Sequence, residues 1–517
     1  MTGLFSLLSL FLTLYLLLDW KFLPEIFSGG TSVYVLLLLL AAMVLTNLKL
    51  YADAVRSLFR KPHSPDLLLT VATVFTALDA AQAAQSVRPP FVVVIGLLLL
   101  LSLWGKYDHS MALLATVRLL REKEGAVGVA EVQDVAGGGR GLTRTAPDVP
   151  QFMQKLETTD RCTRTVSIYV PVALLAGLGA TLLIALALKG KLFWTGSLIF
   201  IGACPVAALL AFPRLFRMLA FRLSETGAAL CGWHGAKVFG GEHAILIGDE
   251  DVFPQGALSL NGFKVYNGNP DRIIAYAAAA SRRSGTALAP LFEDLLRIHV
   301  CRRYTVDSFR FYDSGGIGAT IIGDVVLMGS LEFMRHMGVH MDKGAKVRQA
   351  VYLSINGELA AVFAVKYAPP ENLRRGLAAI AGNRRFRGIL VTRTFLGTPG
   401  FLKAKFGIPT GSFAYPTIRD RLRLSETELK AGSDQGAILT SDSFSAFAQA
   451  AAGGRTLRSA TTLSTVLSIV SGVVGLLLMT VLAVLPAYEA ATALNVLIYT
   501  AAWLVPTLLL AAWAKHF

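Results

Sequence analysis

Residues 192–213 read LFWTGSLIFIGACPVAALLAFP, an uncharged run with Cys204 and Pro205 at its centre. A helix needs about 20 such residues to cross the hydrocarbon core of a bilayer. A proline in mid-span removes a backbone hydrogen bond, so we expect the helix to unwind there. The freed carbonyls and the thiol of Cys204 form a candidate site for a soft metal ion such as Cu(I) or Zn(II). The alternative is a kinked helix with a buried, inert cysteine.

The composition of the whole chain is that of a membrane protein. Of its 517 residues, 54% are hydrophobic and only 16% are charged, whereas soluble domains have about 25% charged residues. These values exclude a disordered chain, and four cysteines are too few for a disulfide scaffold. The formal net charge of +15 indicates basic loops on one side of a membrane. Nucleic acid is not a predicted partner, because the basic residues are scattered over several connections.

Eight apolar stretches are candidate membrane spans. They are residues 4–18, 32–48, 67–84, 91–104, 166–188, 192–212, 461–485 and 490–514. Basic residues are concentrated in every second connection, at 49–61, 106–123 and 214–222. The positive-inside rule therefore predicts a multi-pass protein of the cell membrane with both termini cytosolic and the lipid bilayer as a partner. Asp79, within the third stretch, is expected to face the helix bundle or water, since a lipid-facing carboxylate costs a few kcal/mol.

The spans divide the chain into membrane and cytosolic regions. They are the first four spans (1–105), a small cytosolic insert (106–165), spans five and six (166–213), a large cytosolic region (214–459) and the last two spans (460–517). In the large region, short apolar runs alternate with predicted helices, which indicates an α/β domain around a parallel sheet. Residues 260–345 are richer in hairpin-like features and are predicted to form an insert. Asn356-Gly357 predicts a further hairpin turn.

This organisation, together with several motifs, resembles the heavy-metal-transporting branch of the P-type ATPases over roughly residues 35–517. IGACPVAALLAFP at 201–213 is similar to that family's CPC-ALGLATP span, with Val206 in place of the second cysteine. Gly316-Ile-Gly318-Ala is similar to its G-x-G nucleotide motif, which makes both glycines candidate nucleotide contacts; the alternative is an ordinary hairpin turn.

The resemblance implies a fold, cofactors and a cargo. The fold is an eight-span helical membrane protein with a reduced actuator-like insert at 106–165 and an HAD-like phosphorylation domain that carries a nucleotide-domain-like insert. If the protein is active, the resemblance implies ATP with Mg²⁺, and a soft metal ion as cargo. With a single thiol at Cys204, we expect no tight transition-metal site in the membrane.

The catalytic motifs of that family are not matched. Its phosphorylated aspartate begins a D-K-T-G-T-L-T stretch, but residues 245–256 read ILIGDEDVFPQG, which puts Gly248 in the nucleophile position. Asp249 and Asp251 are displaced candidates, and the alternative is an acidic turn at a strand end. The TGD stretch reads Thr392-Arg393-Thr394, and no TGE or GDGIND sequence occurs.

Three functions remain open from the sequence. The first is a pseudo-ATPase without catalytic residues, which binds or regulates, with another membrane transporter as its partner. The alternative is a divergent but active ATP-driven metal pump that uses Asp249 or Asp251. The third is a passive permeation path or scaffold.

Overall fold

A computed structural model describes residues 1–17, 30–83, 88–121, 125–135, 139–187, 191–340, 349–381, 385–426, 434–485 and 489–514. The helices are α1 (Thr2–Leu17), α2 (Gly30–Thr46), α3 (Leu48–Arg56), α4 (Asp66–Ala83), α5 (Val92–Leu119), α6 (Val149–Leu156), α7 (Arg161–Ala187), α8 (Leu192–Ala203), α9 (Val206–Ser224), α10 (Gly232–Val238), α11 (Asp249–Val252), α12 (Pro270–Ser284), α13 (Ala289–Ile298), α14 (Leu331–His336), α15 (Glu371–Ala381), α16 (Pro399–Phe406), α17 (Ile418–Glu426), α18 (Phe444–Val484), α19 (Ala493–Ala502) and α20 (Leu504–Ala514). The strands are β1 (Val127–Val135), β2 (Gly139–Thr145), β3 (Ala228–Leu230), β4 (His243–Ile247), β5 (Leu258–Val265), β6 (Ser308–Tyr312), β7 (Gly316–Ile321), β8 (Asp324–Gly329), β9 (Ala350–Ile355), β10 (Glu358–Tyr367), β11 (Phe386–Leu390), β12 (Phe413–Ala414) and β13 (Gln435–Leu439).

Six helical segments in the described part of the chain are long and apolar enough to cross a membrane. They are α4, α5, α6–α7, α8–α9, α18 and α19–α20. The pair α2–α3 is a seventh candidate but is bent by 69°, and α1 is apolar but shorter. The sequence predicted eight spans; the last residues predicted for three of them, 18, 84 and 188, lie outside the described residues.

Two of the membrane helices are much longer than the sequence predicted. Helix α5 continues to Leu119, and α18 runs for 41 residues from Phe444 to Val484, which is about 60 Å of helix. A bilayer core needs only about 30 Å. Parts of the predicted cytosolic regions are therefore continuations of membrane helices, which connect the spans with the α/β region.

A seven-stranded mixed sheet is the centre of the α/β region. Its strand order is β12-β11-β4-β2-β1-β13-β3. Strands β12, β11, β4 and β2 are parallel, whereas β1, β13 and β3 are joined by antiparallel pairing. The sequence predicted an α/β domain around a parallel sheet, but the sheet is mixed, because β1 and β3 run antiparallel to the other strands. Two of the seven strands come from elsewhere in the chain.

Those two strands are the hairpin β1–β2 of the small insert, which lies between β4 and β13. The sequence predicted a small cytosolic insert at 106–165, and it gave no indication that the hairpin of this insert is part of the large sheet. The physical reason is burial: Val129, Ala130 and Leu142 are fully buried, and a two-stranded hairpin cannot bury its own apolar face in water. The hairpin buries that face by joining the larger sheet.

A second, six-stranded antiparallel sheet runs from Leu258 to Tyr367 in the order β5-β10-β9-β8-β7-β6. The insert is thus longer than the predicted 260–345, because β9 and β10 belong to it. Helices pack on both faces of this sheet, so its inner strands β7 to β10 are largely apolar and resemble the strands of a parallel sheet in sequence. The predicted hairpin is confirmed: Asn356 and Gly357 both have positive φ, as a two-residue turn requires.

Candidate functional site

A cleft of about 960 Å³ opens at the carboxyl ends of the parallel strands β4 and β11. This edge of an open α/β sheet is where such folds usually bind ligands. The cleft is lined by residues that follow β4 and β11, by the end of β2, and by residues 285–287 of the insert. The structure therefore places Asp249, one of the two predicted candidates, at the wall of a cavity.

Asp249 connects two neighbouring strand ends. It begins the single-turn helix α11 directly after β4, and its carboxylate accepts backbone N–H groups from the loop after β11. The donors are Arg393, at 2.8 Å to Oδ2, and Thr394, at 3.2 Å to Oδ1. Burial raises the pKa of Asp249, and these hydrogen bonds act against that rise. Both carboxylate oxygens are thus used in holding the loop 392–394.

Asp251 is buried and ion-paired. Its Oδ2 accepts the backbone N–H of Gly248 at 2.9 Å and the Nη2 of Arg144 at 2.6 Å. The other guanidinium nitrogen of Arg144 donates to Asp442 at 2.5 Å. The side chain of Asp251 is only 3% exposed and that of Arg144 17%. One arginine of the small insert therefore binds two carboxylates of the large region.

Arg144 remains a cation in this position. Burial alone lowers the pKa of Arg144, but Asp251 and Asp442 raise it by more, so that it lies above its ordinary value. The guanidinium also lies over the ring of Phe447, at 5.6 Å from its centroid, which adds a cation–π contact. A fixed positive charge is thus built into the wall of the cleft.

The donor set at this cleft does not fit Mg²⁺, which takes carboxylate, phosphate and water oxygens in an octahedron. The carboxylates of Asp251 and Asp442 are bound to a permanent cation, and that of Asp249 is bound to two backbone amides. A second cation at Asp251 would lie within a few ångströms of Arg144 and be repelled. The remaining carboxylate of the turn, Glu250, is exposed.

The predicted nucleotide glycines, Gly316 and Gly318, do not line this cleft. Both lie in β7, in antiparallel pairing with β6 and β8. A Cβ at Gly316 would lie 2.3 Å from the ring of Phe333, and a Cβ at Gly318 would lie 3.0 Å from Tyr312. Packing against aromatic rings is therefore sufficient reason for glycine at both positions.

The membrane break is where the sequence predicted it. Helix α8 ends at Ala203, Cys204 is extended, and α9 begins after Pro205. The hydroxyl of Tyr169 donates to the freed carbonyl of Ala203 at 2.8 Å. Cys204 is completely buried. Across the described ranges, His, Cys, Asp and Glu side chains form no group of three or more that suits a metal ion.

Asp79 lies inside the helix bundle, as expected. It is 2% exposed and forms an ion pair with Arg88, whose guanidinium also lies over the ring of Trp194. Pairing removes much of the cost of a charge among apolar helices.

Arg144 is the residue that sequence reasoning missed. It lies in the stretch LTRT, where alternation predicts only a strand, and its partners are 107 and 298 residues away. No local pattern marks such a contact.

No protein-family model matches the chain. A copper-exporting P-type ATPase of Mycobacterium tuberculosis (strain ATCC 25618 / H37Rv) is 24% identical over 249 residues, which are 46% of this chain and 32% of that protein. The chain thus spans about a third of the length of this curated relative. Among solved structures, a zinc-transporting PIB-type ATPase in its E2.Pi state aligns over 100% of both chains with 14% identity and a TM-score of 0.45. The catalytic domain of the CPx-ATPase CopB-B aligns over 39% of this chain with 14% identity and a TM-score of 0.27.

Proposed function

We propose, starting from the relationship of this chain to the heavy-metal-transporting branch of the P-type ATPases, that it is a pseudo-ATPase with a binding or regulatory role. The phosphorylation chemistry of that family requires a free carboxylate as nucleophile, Mg²⁺ and a cation on the phosphate. The ion pair between Arg144 and Asp251 is the observation that carries the proposal, because it occupies a candidate nucleophile with an internal cation.

The proposal includes a topology and a partner. Eight spans with both termini cytosolic agree with the basic residues at 49–61, 106–123 and 214–222. The partner we propose is another membrane transporter, whose activity this chain would adjust through the membrane helices or the cytosolic face. The helices α5 and α18 continue without a break from the apolar stretches towards the α/β region, which supports such a role, since a continuous helix can transmit a movement between the two parts.

The pairing of the hairpin β1–β2 within the large sheet disfavours the hinged domain movement of a pump. The hairpin β1–β2 is hydrogen-bonded into the sheet on both sides, to β4 and to β13. Separation of the small insert from the large region would break these ladders and leave Asp251 without its cation. A separation of this kind is costly, because each buried charge would lose its partner.

Genetic complementation tests this function against that of a pump. In cells that lack the chain, we expect the Asp249→Asn variant to restore metal tolerance or accumulation to the level of the unaltered protein. A pump that uses Asp249 as its nucleophile would lose all function in this variant. With the purified full chain, we expect no vanadate-sensitive ATP hydrolysis in the presence of Cu(I) or Zn(II); hydrolysis that requires the metal would support the alternative of an active transporter.

A further inference from the structure

A second cavity, of about 560 Å³, lies where α7 leaves the α/β region. Its lining includes the basic residues Lys61, His63 and Arg164 and the apolar residues Ile168 and Val172. The first group comes from the loop between α3 and α4 and from the first turn of α7, and the second group continues along α7. The cavity thus has a basic wall and an apolar wall.

The basic wall has few competing carboxylates. No acidic residue lines the cavity, and among the described residues neither Lys61 nor Arg164 is in an ion pair. Asp160, one residue from the lining residue Thr159, accepts hydrogen bonds from the backbone and hydroxyl of Thr163 instead. Lys61 and Arg164 are both exposed, so the cavity presents positive charge to its contents.

The wall is held in place by the protein itself. The backbone N–H of His63 donates to the hydroxyl of Ser167 at 2.7 Å, which ties the loop to α7 across 104 residues of sequence. The ring Nδ1 of His63 lies 2.7 Å from the carbonyl oxygen of Ser57, which fixes the ring. The cavity is therefore preformed rather than a chance gap between two mobile segments.

The surroundings are those of a membrane interface. Ile168 and Val172 are 68% and 62% exposed on a helix that is apolar enough to span, so they face lipid. Beside the loop, Phe59 is 82% exposed and Leu58 45%, in a segment that also carries Arg56 and Arg60. Apolar side chains next to clustered basic residues are typical of segments that lie in an anionic membrane surface.

We propose that this cavity binds the phosphate headgroup of an anionic membrane phospholipid. Lys61 and Arg164 bind the phosphate oxygens, and Ile168 and Val172 contact the upper acyl chain. A lipid fits better than a free phosphate ion, because only a lipid satisfies both the basic and the apolar wall. This inference does not depend on whether the chain hydrolyses ATP.

The test uses the full chain in nanodiscs of phosphatidylcholine with or without phosphatidylglycerol, and measures bound lipid by native mass spectrometry. The double variant Lys61→Gln/Arg164→Gln should weaken phosphatidylglycerol binding by about tenfold or more. The control Lys49→Gln/Arg118→Gln removes the same charge from exposed positions outside the cavity and should leave most of the binding intact. The variant Lys61→Arg/Arg164→Lys keeps both charges and should retain phosphatidylglycerol binding.

Two results would overturn the proposal. Equal loss of binding in the double variant and its control would mean that general surface charge attracts the lipid. Equal binding of inorganic phosphate and phosphatidylglycerol would mean a site for a soluble anion. Thermal unfolding of each variant in phosphatidylcholine alone shows whether it is folded, and the three variants should unfold within a few degrees of the unaltered chain.

Discussion

The guanidinium of Arg144 lies 2.6 Å from the carboxylate of Asp251, although 107 residues separate the two in sequence. Arg144 comes from the hairpin of the small insert and Asp251 from the turn after β4. The contact holds the hairpin on the sheet. It also occupies the carboxylate of Asp251, which the family resemblance made a candidate for catalysis.

Loss of Arg144 should destabilise the α/β region. Arg144→Met leaves Asp251 buried without a counter-charge, which typically costs about 3–5 kcal/mol. Amide hydrogen exchange of the β1–β2 hairpin in increasing urea measures the loss. Arg140→Gln is the matched control, because Arg140 is on the same strand but its side chain is 67% exposed in its pair with Glu131, so its removal should cost about 0–1 kcal/mol.

A double variant checks the origin of this effect. Arg144→Met/Asp251→Asn removes the buried charge together with its partner and should recover part of the stability lost in Arg144→Met. Equal stability of the single and double variants would show that the hairpin is held by its apolar side chains and not by the ion pair.

Asp249→Asn should change the pH dependence of stability. Burial raises the pKa of Asp249, so the folded protein holds this proton more tightly than the unfolded chain does. The protonated carboxyl group therefore contributes stability at pH values below the pKa that Asp249 has in the unfolded chain. This contribution is lost as the pH rises through the higher pKa that Asp249 has in the folded protein. Asparagine still accepts an N–H and carries no charge, so the variant should gain in relative stability from pH 4 towards pH 8.

Thermal unfolding of Asp249→Asn and of the unaltered chain across that pH range measures the difference. A difference that stays constant with pH would contradict the assignment of a raised pKa. A variant that becomes less stable relative to the unaltered chain as the pH rises would show that the ionised carboxylate, with its amide donors, stabilises the fold.

Cys204 should bind no transition metal tightly. The thiol is completely buried beside Val206, where the related span has a second cysteine, and a cation bound there would lose its water for a single soft ligand. Titration of the purified chain with Cu(I), with Cys204→Ser as control, should give the same weak binding in both. Stoichiometric tight binding that disappears in the variant would show a membrane metal site.

The number of spans can be decided at Ser28, in the connection between α1 and α2. If all eight predicted stretches cross the membrane, Ser28→Cys in a cysteine-free chain reacts with an impermeant maleimide in intact cells. Thr305→Cys, an exposed position in the insert, should react only after permeabilisation. A Ser28→Cys variant that behaves like Thr305→Cys would mean that α1 and α2 do not both cross.

The features that sequence predicted well are those set by local composition. The apolar stretches at α4 and α8–α9, the break at Cys204-Pro205 and the hairpin at Asn356-Gly357 each follow from the residues at that place. The interior position of Asp79 follows from the cost of a charge in lipid. These arguments need no knowledge of distant parts of the chain.

The features that sequence missed depend on contacts between distant segments. The hairpin β1–β2 joins the large sheet because of pairing with β4 and β13, which lie far along the chain. The strands β9 and β10 lie outside the predicted insert of 260–345, because burial on both faces removes the alternation that is typical of an antiparallel strand. Arg144 had no signal of its own, since an arginine in a strand is usually solvated.

The most direct test of the pseudo-ATPase proposal is the acid-stable phosphoenzyme. The full chain, purified and incubated with γ-labelled ATP, Mg²⁺ and Cu(I) or Zn(II), is quenched in acid and separated at low pH beside Asp249→Asn and Asp251→Asn. We predict no labelled band above the background of these two variants. A band in the unaltered chain that disappears in either variant would contradict the account and identify the chain as an active pump.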